Sequence, residues 1–163
     1  MRRVLAIWVA VLIALSPAWG QELSAIARLD PAASSITNKG PGVALTFALS
    51  QPVPWRVRLR DNPPRLVLDT REVDWTQIAA VPKAGSRILE LRAGVFRPGW
   101  SRLVLELGGP FAITAAAMDT TDGRATIALR LDPTDAVAFA ALAAKPEPEG
   151  WALPAPADVP KIL

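Results

Sequence analysis

Histidine and cysteine are both missing from the 163 residues. The first absence removes the commonest general base and the commonest metal ligand. The second removes the thiolate nucleophile, and with it the Cys-His pairs of covalent catalysis. No Gly-x-Ser-x-Gly stretch supplies a nucleophile elbow for a serine either. Disulfides are excluded, so a folded domain must rest on its apolar core alone. Beyond residue 20, no apolar run approaches the roughly 20 residues that a membrane-spanning helix needs.

What is present begins with an address. Met1-Arg2-Arg3 is a short basic region, Val4 to Leu15 is an unbroken apolar run of 12, and Ser16-Pro17-Ala18-Trp19-Gly20 places small residues at positions 18 and 20. That order predicts a secretory signal peptide over residues 1–20, cleaved after Gly20, and an exported chain with no stable membrane insertion afterwards. Processing removes Arg2 and Arg3, so the formal charge falls from +3 to +1, with 16 basic residues against 15 acidic. The remainder is uneven: residues 56–102 hold ten Lys/Arg and five Asp/Glu, whereas residues 103–163 hold four and eight. A basic middle and an acidic tail result. Export and a near-neutral balance argue against nucleic acid as a partner.

Arg65-Leu66-Val67-Leu68-Asp69 returns 37 positions later as Arg102-Leu103-Val104-Leu105-Glu106. Each copy follows a Pro-containing turn, Pro63-Pro64 or Pro98-Gly99, and each has the period of a strand. Val43 to Leu49 alternates in the same way, with Val43, Leu45, Phe47 and Leu49 on the inner side. Trp55 to Arg60 follows, with Trp55, Val57 and Leu59 inward. Residues 72–84 read as a connection with a helical turn near Trp75. Arg87 to Ala93 is a further strand, Gly94 to Gly99 a turn, and Ser101 to Leu107 the repeated strand. Phe111 to Met118 and Ala125 to Leu131 form a last hairpin around Asp119 to Gly123. Short strands punctuated by Gly and Pro predict an all-β sandwich over residues 24–131. Asp132-Pro133-Thr134-Asp135 reads as a helix start, with Pro in the first turn, for a short helix within residues 132–144. Residues 145–163 are a Pro-rich tail with linker composition.

Leu91 to Leu107 resembles the second half of the AMIN domain, and Pro64-Arg65-Leu66-Val67-Leu68-Asp69 resembles a strand of its first half. AMIN domains lie at the N-terminus of exported N-acetylmuramoyl-L-alanine amidases of the AmiC type and of some secretins. The resemblance covers roughly residues 24–131. It implies a small sandwich of two packed, pseudo-symmetric β-sheets from an internal duplication. It also implies a periplasmic, non-catalytic module that binds peptidoglycan and targets an amidase to the division septum. The amidases themselves use a zinc ion held by His and Glu, and this chain has no His. No catalytic residue, cofactor or metal is therefore carried across.

The residues that would meet the wall are arginines. Arg56, Arg58 and Arg60 share one side of their strand by period 2. Arg65 and Arg102 hold matching places in the repeat, and Arg92 and Arg97 flank the second copy. A guanidinium grips a carboxylate, such as those of stem peptides, with two parallel hydrogen bonds. Trp100 adds a flat apolar ring that suits a sugar face. The plainer reading is a solvated sheet face with cross-strand pairs to Asp69, Glu90 and Glu106, and Trp55 and Trp100 as core caps. Asp119 and Asp122 read as turn residues rather than calcium ligands, and Asp69 with Glu106 as symmetry mates rather than catalytic acids. The alternative function is a protein-interaction β-module of an envelope machine, secretin- or divisome-binding, that works by edge-strand pairing.

Overall fold

The computed structural model describes residues 26–146. The signal peptide over 1–20 lies outside them, as does the Pro-rich tail beyond Pro146. The fold is mostly β, in two unequal sheets. The larger sheet is built from β1 (Ala27–Lys39), β2 (Gly42–Leu49), β5 (Val73–Asp74), β6 (Lys83–Ala84), β9 (Phe111–Thr121) and β10 (Arg124–Pro133). Its strand order is β5-β1-β2-β10-β9, and β6 also pairs with β1. The smaller sheet is built from β3 (Trp55–Arg60), β4 (Arg65–Arg71), β7 (Ile88–Arg97) and β8 (Trp100–Leu107), in the order β3-β4-β8-β7.

Alternation decides which side of each strand is buried. Val43, Leu45, Phe47 and Leu49 of β2, Leu66 and Leu68 of β4, Leu103, Leu105 and Leu107 of β8, and Ala125, Ile127, Leu129 and Leu131 of β10 all join one core between the sheets. Phe47 and Trp75 meet edge to face there, with ring centroids 5.7 Å apart. Burial of such side chains contributes roughly 1.5–3 kcal/mol each. Polar contacts also hold the smaller sheet to its surroundings. The buried Ser101 Oγ donates to the Val73 carbonyl (2.6 Å) and accepts from the Val73 N–H (3.0 Å). Trp75 Nε1 donates to Thr70 Oγ1 at 3.3 Å.

The repeated strands do not sit one in each sheet. They lie side by side as β4 and β8, antiparallel, at the centre of the smaller sheet. Hairpins β3-β4 and β7-β8 are thus related by a local pseudo-twofold. The register places Arg65 opposite Glu106 and Asp69 opposite Arg102, with Leu66, Val67 and Leu68 opposite Leu105, Val104 and Leu103. The motif is complementary to its own reversed copy.

Several elements differ from the sequence reading: the segment read as a connection holds the short strands β5 and β6, and β9 runs on to Thr121. β1 was not expected at all: its 13 residues include Pro31 and an irregularity between Asp30 and Ser35, which hide the alternation. β7 continues through Gly94 to Arg97, so the turn shrinks to Pro98-Gly99, with Gly99 at φ +74°. The helical turn near Trp75 is a 3-10 turn at Ile78–Ala80. Pro133 closes β10 instead of opening the helix. Helix α1 (Ala136–Ala143) starts from Asp135, whose Oδ1 accepts from the Ala138 N–H at 2.8 Å. The last hairpin turns at Asp122-Gly123, where φ is +50° and +75°. Two successive positive values are what a two-residue hairpin loop requires.

Candidate functional site

The outer side of the smaller sheet carries almost all the candidate residues. Cross-strand pairing sets them in three rows. One row is Arg60, Arg65, Glu106, Glu90; the next is Arg58, Val67, Val104, Arg92; the third is Arg56, Asp69, Arg102, Gly94. Six arginines therefore share this surface with three carboxylates.

Asp69 is the hub of the third row. It is fully buried (0% exposed), although it lies on the outer side of β4. Arg56 Nε donates to its Oδ2 at 2.9 Å. Arg102 grips it with both prongs, Nε to Oδ1 at 2.6 Å and Nη2 to Oδ2 at 3.1 Å. Arg58 Nη2 stands 3.4 Å from Oδ2. Burial pushes the Asp69 carboxyl up, but hydrogen bonds from Arg102 and Arg56 and the charges of Arg102 and Arg58 outweigh it. The net shift is downward. One buried carboxylate thus organises three guanidinium groups into a fixed cationic cluster.

The other candidates are held differently. Arg65 is half-buried and donates to main-chain carbonyls of its own turn, Pro63 O at 3.2 Å and Asp61 O at 3.4 Å. Arg60 is exposed. The Arg92 side chain, 72% exposed, pairs with Glu90 through two 2.7 Å bonds. The Arg97 guanidinium stacks over Phe96 at 5.7 Å and over Trp100 at 5.5 Å, and that of Arg102 lies 3.5 Å from the Phe96 ring centre. Arg97 Nη2 is buried and meets no acceptor among the described residues.

Two expectations are corrected. Arg56 is 9% exposed, and so it anchors the surface from beneath instead of projecting from it. Trp100 is likewise 9% exposed, so its ring does not offer an open platform to a sugar. Arg97 covers it, and the partly exposed ring in this corner is Phe96, at 39%. The sequence reading missed Phe96. It also treated Asp69 as one member of a solvated pair. The signal was available: an apolar-flanked acid in a strand whose neighbours are both Arg-bearing requires compensation once the strands are adjacent.

Two hollows adjoin this sheet. A groove of about 580 Å³ runs along β3, lined by Arg56, Arg58, Arg60, Ile113, Leu142 and Lys145 among others. A pocket of about 540 Å³ lies at the opposite end, where Glu72, Asp74, Trp75 and Trp100 are among the lining residues. No group of three or more potential metal-binding residues occurs among the described residues. What the arrangement can do is hold anions, by charge-assisted bonds from guanidinium groups whose orientation is already set.

No family model matches the chain, and no curated protein matches it. No helix among the described residues is long and apolar enough to cross a membrane.

Proposed function

We propose that the chain is a non-catalytic periplasmic module that binds peptidoglycan and positions a cell-wall amidase at the division septum. The observation that carries this reading is the six-arginine surface of the smaller sheet. Glu90 and Glu106 offset it only in part, and Asp69 stiffens it from below. Stem peptides are repeating carboxylates. A rigid sheet surface with several modest cationic contacts suits such a polymer, because weak contacts add when the ligand repeats. The AMIN resemblance, the predicted signal peptide and the Pro-rich tail agree with it.

Co-sedimentation with purified sacculi tests the proposal. The mutations belong at Arg65 and Arg92, which do not touch Asp69. Arg65→Glu with Arg92→Glu is expected to lower the bound fraction about tenfold with an unchanged fold, and 0.5 M salt is expected to release the parent protein. Unchanged sedimentation of the double variant sinks the reading. The second reading, a protein-interaction β-module, is favoured by the position of β3 at the open edge of its sheet.

A further inference from the structure

β9 ends the larger sheet, and among the described residues β10 is its only ladder partner. The two-residue loop at Asp122-Gly123 makes Thr121 and Arg124 a bonded pair, and bonded and non-bonded pairs then alternate along the hairpin. Asp119, Ala117 and Ala115 therefore spend their peptide groups on β10. Thr120, Met118 and Ala116 point theirs the other way, and no backbone bond from another described residue takes them up. Thr114 to Ala117 and Asp119 to Thr121 are exposed. Pro146, where the described chain ends, lines a groove with Ile113, toward the opposite end of the strand.

The other sheet edges are guarded. β5 and β6 are two residues long. β3 carries Arg56, Arg58 and Arg60. β7 carries Glu90, Arg92 and Arg97, and its register is broken in two places. Shortness, charge and irregularity are the usual means of keeping an edge from pairing. β9 runs for 11 residues with no Lys, Arg or Pro, and Asp119 is its one charge. Its one irregularity falls at Thr114, outside the segment from Ala116 to Thr120. Laid antiparallel against itself about Ala117, that segment is self-complementary. Met118 meets Ala116 of the second copy, so a long side chain faces a small one, and both bring unused peptide groups. Asp119 meets Ala115, so the two carboxylates stay apart.

We infer that β9 is a dimer surface, through which two copies of the chain join their larger sheets by antiparallel pairing about Ala117. One strand pair makes a smaller contact than the roughly 1,600 Å² of a standard interface, so the dimer is weak and reverses on dilution. It forms between folded molecules and needs no exchange of strands. The inference goes beyond wall binding and does not depend on it.

Sedimentation velocity on the mature full-length chain, never exposed to denaturant, tests it. A dimer is expected at about 200 µM and a monomer at about 1 µM, as a small interface allows. Met118→Pro removes an edge N–H that β10 does not use and is expected to raise the dissociation constant about tenfold. Ala117→Lys sets two like charges face to face across the twofold axis. It is expected to do the same without touching the backbone, which covers the case of a Met118→Pro chain that does not fold. Arg65→Glu with Arg92→Glu should leave the dimer unchanged, which separates this proposal from the previous one; a dimer lost in that variant would place the contact on the smaller sheet and overturn the assignment. A monomer at every concentration overturns it too, whether the edge is idle or covered by residues 147–163. So does a dimer that both β9 variants leave intact, or a ladder of larger species, which contact between two different surfaces produces.

Discussion

Asp69 shows why a charge on the outside of a sheet need not be a surface charge. Its carboxylate has no exposure and three arginines address it. Replacing it by Asn leaves those guanidinium groups facing a neutral amide in a site built for an anion. Loss of one partner of a buried ion pair costs about 3–5 kcal/mol. Asp69→Asn should therefore lower the thermal midpoint sharply, which a melt by circular dichroism reads. The pH dependence has a definite sign. The carboxyl sits below its ordinary value of 3.8 in the folded chain. Its stabilisation is fully present above about pH 4 and is lost as pH falls through the depressed folded value. The parent protein should lose stability below pH 4 more steeply than Asp69→Asn; parallel acid limbs would refute the assignment. The arginines also divide by this criterion. Arg58 and Arg102 look like surface charges in the sequence, yet reversing them would strand Asp69. Arg60, Arg65 and Arg92 are the ones whose reversal probes binding alone.

Among the elements, legibility followed alternation. β2, β8 and β10 have every second residue buried, and the sequence shows it because one side meets the core and the other does not. β4 breaks that rule: Val67 and Asp69 of the outer side are buried as well as Leu66, Leu68 and Thr70 of the inner one. Its outer side lies beneath long arginine stems, which cover Val67 while keeping charge near water. No periodicity reports such cover. β1 was invisible because Pro31 and the Asp30–Ser35 irregularity interrupt the period, with the Asp30 Oδ1 instead capping the N–H groups of Ala32 and Ala33. The helix was legible in composition, but its docking was not. Phe139 is 2% exposed and belongs to the common core. Phe139→Ala should cost about 3–5 kcal/mol, against a few tenths for Val137→Ala, which is exposed. Equal losses in denaturant titration would show that α1 is not part of the cooperative unit.

For the molecule as a whole, composition foretold the absence of a disulfide framework and of His or Cys chemistry, and strand spacing foretold two β layers. The placement of the duplicated strands was not foretold, since a repeat specifies that two units are alike and not where they meet. Their meeting has a consequence beyond this fold. Arg-Leu-Val-Leu-Asp read against its own reverse pairs Arg with Asp and Leu with Leu, so β4 fits the β4 of another molecule as well as it fits β8. Crowded, partly refolded chains therefore have a ready route to hairpin exchange. Dilution from denaturant at high protein concentration should yield a domain-swapped dimer on size-exclusion chromatography, and dilution at low concentration a monomer.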